Sequence, residues 1–395
     1  MNFLECLEHG QNLMIWSLQN KMINKSQFEI AIVIGTRAEF IKTFPVMLEL
    51  QRRKIPYYFI HTGQHSLGEL WEIFSVKIPN VILTREPKKS SKFNSKQGKA
   101  ILWNLKLVGK IRRELKTLKN LRYVLYHGDT MTTASASIAS SKLMNPFKKY
   151  KNVHLEAGLR SWNNFEPFPE EISRRIAGRF SDVLFAPSKS SERNLAKLRK
   201  KKILVFGNTI VDSAHYAFDL AKKKKIKPLS KKKFALVTVH RHENLKNKKR
   251  MEKIVEVLLS VEIPTYFAAH DNTLKKLEEF GLLSRLKENK NINLIKPIDY
   301  INFIYQISKC ALIICDGGSM QEESLIFGKP CVILRNSTER PEGLKTNFQF
   351  LTKLDVEKSK EKIKEYLSKD FKIRKYSNPY GKKGLSKKIV DVLVD

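Results

Sequence analysis

Short apolar runs, each closed by a glycine or a polar residue and followed at once by a helical pattern, recur along this chain from Phe28 onward. The first, FEIAIVIG (28–35), leads into Phe40, Ile41, Phe44, Met47 and Leu48, spaced three and four apart as on one helical face. YYFIHTG (57–63), YVLYHGD (123–129), NVHLEAG (152–158) and DVLFAPS (182–188) continue the strand series. Helical stretches stand between them near 67–74, at 97–118, at about 132–143 and at 170–180. A lysine-rich break at 222–233 precedes a second series: FALVTVH (234–240), PTYFAAH (264–270), NINLIKP (291–297), CALIICD (310–316) and KPCVILR (329–335). Such alternation is the pattern of a mostly parallel, doubly wound sheet. Two series in 395 residues predict an α/β chain of two Rossmann-like domains facing each other across a cleft.

Lys and Arg number 74 against 39 Asp and Glu, a formal net charge of +35, which raises a nucleic-acid reading. The excess sits in short runs: Lys88 and Lys89; Lys148, Lys149 and Lys151; Arg199 to Lys202; Lys222 to Lys225; and Lys231 to Lys233. Runs of this kind are expected on solvated faces and loops, and they lack the interleaved aromatics of a base-stacking platform. With no RRM or KH signature, a basic RNA-binding protein is the reading set aside, and no nucleic-acid partner is expected. The same field steers anionic small ligands. Cys310, Cys315 and Cys331 fall in apolar, strand-like stretches and form no CxxC pair with each other or with Cys6, so buried thiols are expected rather than a disulfide frame or a structural zinc. No apolar run approaches the roughly 18 residues of a membrane span. Glu5 and Glu8 stand where a signal peptide carries positive charge, so the cytoplasm is the expected setting.

Polar motifs close the strands, where ligands of open α/β sheets bind. GTRAEFIK places Gly35, Arg37, Glu39 and Lys42 where a strand turns into a helix; free backbone N–H groups there suit an anion, and Arg37 adds a phosphate fork or is a surface arginine. In HGDT, Asp129 either caps the next helix or points into the cleft. In HLEAGLRSWNNFEPFPEEISRR, Glu156 closes a strand, Pro169 suits the first turn of a helix, and Glu170–Arg174 and Glu171–Arg175 stand four apart. These are surface ion pairs, or carboxylates gathered in a desolvated cleft that drives their pKa values apart. TVHRHE puts His240 at a strand end, for structure or for a phosphate. CDGGSMQEE sets Asp316, Gly317, Gly318 and Ser319 at a strand-to-helix turn that suits a pyrophosphate, with a carboxylate one helical turn on for ribose hydroxyls. Ser319 with Glu322 alternatively fits a capping box.

In order and spacing, GTRAEFIK, GQH (63–65), HGDT, HLEAGLR, PFPEE with Arg174, GNTIVD (207–212), VTVHRHE, PIDY (297–300), QEE (321–323), GKP (328–330), TERPEG (338–343) and NPYG (378–381) resemble the motif series of the UDP-N-acetylglucosamine 2-epimerases. The resemblance runs from about residue 30 to the C-terminus. It implies a GT-B-like pair of Rossmann domains, here an extension at 1–27, domains at 28–206 and 207–376, and a closing helix at 377–395 that crosses back to the first domain. It implies that Arg37 and His240 contact the UDP phosphates, that Lys42 lies near the sugar, and that Glu323 binds the ribose. Asp129, Glu156 and Glu170 match the catalytic carboxylates, and Arg174 an active-site arginine. The implied reaction removes the C2 proton as UDP leaves, passes through a 2-acetamidoglucal, and returns a proton on the other face as UDP re-adds. Asp129 and Glu156 are expected at C2, with Glu170 in support and His240 stabilising charge on the leaving phosphate.

The expected partner is a UDP-N-acetylhexosamine, in a homodimer, with no metal and no cofactor. A hydrolysing 2-epimerase and a GT-B glycosyltransferase are the alternatives; the clustered carboxylates weigh against the second. Two departures stand out. Asp316-Gly317-Gly318-Ser319 replaces the family's usual Asp-Ser-Gly-Gly, and Ser66-Leu67-Gly68 follows GQH where bacterial members carry an arginine at an allosteric site. Both point to a divergent branch acting on a different UDP-N-acetylhexosamine.

Overall fold

The computed structural model describes residues 24–84, 94–163, 169–198 and 201–395. The readings made on Cys6 and the first 23 residues, on Lys88 and Lys89, on Pro167 and Phe168, and on Arg199 and Lys200 lie outside the described residues.

Seven strands form the first sheet: β1 (Ile30–Ile34), β2 (Tyr57–His61), β3 (Val81–Ile82), β4 (Tyr123–His127), β5 (Lys151–Leu155), β6 (Val183–Ala186) and β7 (Lys202–Val205). Their order is β3-β2-β1-β4-β5-β6-β7. Six form the second: β8 (Ala235–Thr238), β9 (Thr265–Ala268), β10 (Ile292–Ile295), β11 (Leu312–Cys315), β12 (Cys331–Ile333) and β13 (Gln349–Leu351), in the order β10-β9-β8-β11-β12-β13. Every pairing is parallel. The central strands are buried along their whole length, as the continuous apolar runs predict. Strand order reverses between β1 and β4 in one sheet and between β8 and β11 in the other; these are the points where such sheets bind ligands. The sequence reading missed β3, β7 and β13, which are short or peripheral and only partly buried.

The helices that shape the site are α1 (Arg37–Arg52), α2 (Asn94–Lys116), α3 (Met131–Ala139), α4 (Glu170–Phe180), α5 (Ile210–Lys223), α6 (Tyr300–Lys309), α7 (Gly318–Phe327) and α8 (Leu385–Val394). Thr36 and Glu39 start α1 with a reciprocal capping box. Pro45 sits inside α1, where it cannot donate to the carbonyl of Ile41. Ser213 of α5 supplies the missing donor, its Oγ lying 2.5 Å from that carbonyl, so a helix defect becomes a joint between helices. Helix α5 also packs on α6 and α7 of the second half, and α8 returns to pack on α1, where Arg53 meets Asp391 at 2.7 Å. One apolar cluster consequently runs from Ile30, Phe44 and Leu50 through Ala214 and Ala217 to Phe234, Ile313 and Ile389.

Cys310, Cys315 and Cys331 are free and buried, as expected. Lys222 to Lys225 and Lys231 to Lys233 are exposed. Two other members of the basic runs are tied into the fold. The Lys148 side chain is buried against Asp182 at 2.6 Å, and Lys201 donates to the carbonyls of Gly178, Arg179 and Ser181, capping the C-terminus of α4. No helix among the described residues is long and apolar enough to cross a membrane.

Candidate active site

The carboxyl edge of the first sheet is built by close backbone approach. A Cβ on Gly35 would lie 1.9 Å from Thr132 Oγ1, so only glycine lets β1 end against the start of α3. Glu39, fully buried, accepts from the N–H groups of Gly35 (2.7 Å) and Thr36 (2.9 Å) and from the hydroxyls of Thr130 and Thr133, locking this corner. Arg37 stands at the rim, its Nε donating to the carbonyl of Ser66 at 2.9 Å.

Asp129 does not cap the next helix. Thr130 does, accepting from the Thr133 N–H, which leaves the Asp129 carboxylate free for Arg174: Nε at 3.0 Å and Nη2 at 2.5 Å. The expected Glu170–Arg174 pair is thus replaced by a tertiary one, and Arg174 adds Glu171 at 3.3 Å and faces Glu339 at 3.7 Å. Glu171 does pair with Arg175, at 3.2 Å, but it is fully buried and also takes the Ser161 N–H, so it anchors Ser161 and is not a surface ion pair. Glu170, in the first turn of α4 directly after Pro169, has an oxygen sealed from solvent with no hydrogen-bond partner. Burial, and then the neighbouring Asp129, raise its carboxyl above the ordinary glutamate range.

Glu156 follows β5 with φ +62°, a left-handed conformation that is uncommon for a residue with a side chain and concentrates at functional sites. That backbone aims its carboxylate at Lys42 Nζ, 2.5 Å away. Burial disfavours its charge, but Lys42 and Arg340 outweigh burial and hold the carboxyl well below the usual range. His127 beside it is pushed down to about 3, chiefly by burial, and is therefore neutral.

Across the cleft, Asp316 accepts from the N–H groups of His240 (3.1 Å) and Arg241 (2.9 Å) and from Asn244 Nδ2 (3.0 Å), so its part is to shape the turn after β8. The His240 side chain stays 45% exposed, its ring against Gly317. The alternative Ser319–Glu322 capping box does not form: α7 starts at Gly318 with Gly317 as its N-cap, so Ser319 lies inside the first turn and the leading N–H groups have no side-chain cap. A Cβ on Gly318 would meet Arg340 Nη1 at 2.4 Å, so this turn is glycine for close packing as well. Glu323 is buried beside the Tyr300 phenol, its carboxyl pushed up to about 7 by burial and then by Glu322.

A carboxyl whose folded pKa is raised contributes most below the unfolded value and loses stability as pH rises through the folded one. Glu323→Gln is expected to raise the unfolding temperature by a few degrees at pH 8 and to change it little at pH 4. Equal effects at both pH values would refute the shift.

The structure therefore brings Lys42, Asp129, Glu156, Glu170 and Arg174 together at the first sheet, sets His240, Gly317, Gly318 and Ser319 opposite, leaves Arg37 at the rim and buries Glu323. It adds residues that the sequence reading did not single out. Asn208 donates to both Glu156 and Glu322 at 2.6 Å. Arg340, fully buried, lies 3.1 Å from Glu322, 3.7 Å from Glu156 and 2.6 Å from Glu339, which also pairs with Arg335 at 2.8 Å. Their signal was present in GNTIVD, QEE and TERPEG, runs of charge and amide at strand and helix ends.

Residues 48–394 match the family model described as UDP-N-acetylglucosamine 2-epimerase. The chain is 34% identical over 382 residues to a UDP-N-acetylglucosamine 2-epimerase of Methanococcus maripaludis, covering 93% of this chain and 98% of that protein. Its fold is similar to the crystal structure of the Methanocaldococcus jannaschii UDP-GlcNAc 2-epimerase in complex with UDP-GlcNAc and UDP, with TM-score 0.76 and 30% identity over 92% of this chain and 99% of that one. It is similar also to the Neisseria meningitidis enzyme bound to UDP-GlcNAc, with TM-score 0.78, 31% identity and the same coverage.

Proposed function

Because the chain belongs to the UDP-N-acetylglucosamine 2-epimerase family, we propose that it inverts C2 of a UDP-N-acetylhexosamine by eliminating UDP and adding it back. The observation that carries this reading is the set of three carboxylates at neighbouring strand and helix ends, each in a different electrostatic setting. Asp129 is tied to Arg174, Glu156 is anionic against Lys42, and Glu170 is raised by burial and by Asp129. Groups whose proton affinities are driven apart can take a proton on one face and return it on the other.

In this scheme a carboxylate takes the C2 proton, the C2–H electrons form the C1=C2 bond, and the C1–O bond breaks with its pair going to UDP. His240, Arg37 and the uncapped N–H groups at the start of α7 receive the charge that develops on the phosphate. A second carboxyl then protonates C2 from the opposite face while the UDP oxygen re-forms its bond to C1. Asp129 and Glu156 serve C2, and Glu170 completes the set.

NMR of the purified protein with UDP-GlcNAc in D₂O, without added metal or nicotinamide, tests this. Deuterium at C2 together with UDP-ManNAc is the expected result. Free ManNAc and UDP would place the chain in the hydrolysing branch. Retention of C2 protium with UDP-GlcNAc and with modified UDP-N-acetylhexosamines would overturn the proposal.

A further inference from the structure

Asn208 occupies a position that nothing in the reaction scheme uses. It stands on the segment that leaves the first sheet, and its backbone N–H donates at 2.9 Å to the carbonyl of Tyr380, on the segment that returns to it. Its Oδ1 accepts from the Ile210 N–H at 3.2 Å. Its Nδ2 donates at 2.6 Å to Glu156 Oε2, from the first half, and at 2.6 Å to Glu322 Oε1, from the second. An amide nitrogen carries two hydrogens, and here both go to carboxylates of opposite halves. The side chain is buried and has nothing left to offer a substrate.

Two carboxylates drawn onto one neutral donor repel each other unless cations surround them. They do: Lys42 from α1 lies 2.5 Å from Glu156 and 3.7 Å from Glu322, and Arg340 lies 3.7 Å and 3.1 Å from the same pair. The other titratable neighbours of Glu156 include His127, at the end of β4, and His154, on β5; burial lowers them to about 3 and about 4, so both are neutral. Glu156 is held on a strained, left-handed backbone, so its carboxylate direction depends on these partners.

We infer that Asn208 is a positioning residue: its amide ties the Glu156 carboxylate of the first half to Glu322 of the second, so that Glu156 is aimed only when the two halves are in register. This rests on the reading of Glu156 as a catalytic carboxylate.

The test is Asn208→Ser, which removes the bridge, and Asn208→Asp, which sets a third carboxylate between two others. For Asn208→Ser, kcat is expected to fall about 10–100-fold with KM within about threefold of wild type, because a misaimed group costs rate without costing binding. Losing a donor to a carboxylate raises its proton affinity, so the acidic limb of the kcat profile moves to higher pH. Asn208→Asp is expected to be slower still, and adding Glu322→Gln, which restores the charge count and an amide, recovers at least about tenfold. Wild-type kcat and an unmoved pH profile in Asn208→Ser, or kcat and KM changing in parallel, would overturn the inference.

A thermal-unfolding cycle of Asn208→Ser with Glu156→Gln supplies a readout that needs no turnover. The Asn208 substitution is expected to cost less in the Glu156→Gln background, and strict additivity would sink the bridge. A non-additive cycle in a protein that turns over no UDP-N-acetylhexosamine would leave the bridge standing and refute the catalytic reading alone.

Discussion

Glu170→Gln is expected to lose turnover without losing stability. Glu170 stands beside Asp129 and supports the carboxylates at C2; a working acid–base set is worth about 10²–10⁴ in rate, and loss of its support should lower kcat by up to that factor. The amide keeps the shape of the side chain, and Glu170 carries a buried oxygen with no hydrogen-bond partner, so little holding the fold is removed. The sign of the stability effect follows from its raised carboxyl. The folded protein binds this proton more tightly than the unfolded chain does, so wild-type stability declines as pH rises through the folded pKa. The Gln variant, neutral at every pH, should match or exceed wild type in unfolding temperature at pH 8 and equal it at pH 4. This is the signature of a group kept for function at some cost to the fold. Near-wild-type kcat, or a lower unfolding temperature at pH 8 than at pH 4 relative to wild type, would remove Glu170 from the catalytic set.

Arg340→Met should have the largest effect on the fold. The guanidinium is buried among Glu156, Glu322 and Glu339, which balance its charge. Deleting one partner of a buried ion network leaves the others uncompensated, which typically costs about 3–5 kcal/mol. Chemical denaturation should show a loss of that size, and Glu322→Gln in the same chain should return part of it by removing one stranded anion. A loss under about 1 kcal/mol, the size of an exposed pair, would mean that Arg340 does not hold this network. Activity should fall as well, because Arg340 and Lys42 together keep Glu156 charged.

Much of the architecture is legible in the sequence because strands buried on both faces must read as unbroken apolar runs. IAIVI of β1 and LIIC of β11 have no other comfortable home, and their polar closings mark the ligand-binding edge. What stayed hidden was decided by partners far away in the chain. Lys42 and Glu156 lie 114 positions apart, as do Asn208 and Glu322, and no local spacing announces either pair. Local rules also named the wrong partner where two were on offer. Arg174 is four residues from Glu170 and chose Asp129, to whose Oδ2 both its Nε and its Nη2 donate at the sheet edge. Asp129 lost the capping position to the threonine after it, and Ser319 lost its own to Gly317, because the turn after β11 packs against His240 and Arg340.

The two linking segments, joined where Asn208 meets Tyr380, also determine what this protein is as a heritable object. A gene cut at Gly207 would not release two self-sufficient pieces. The upstream fragment would lack Ile389, Val390 and Leu393, which pack into its apolar core, and the downstream fragment would carry α8 without α1, the helix it chiefly packs on. The C-terminal helix is thus shared: it closes the core of the first lobe, while Asp212 and Val211 at the start of α5 hold its N-terminal end. Exchange of whole lobes between relatives by a single crossover is therefore disfavoured: a functional chimera needs two junctions, one before α5 and one before α8.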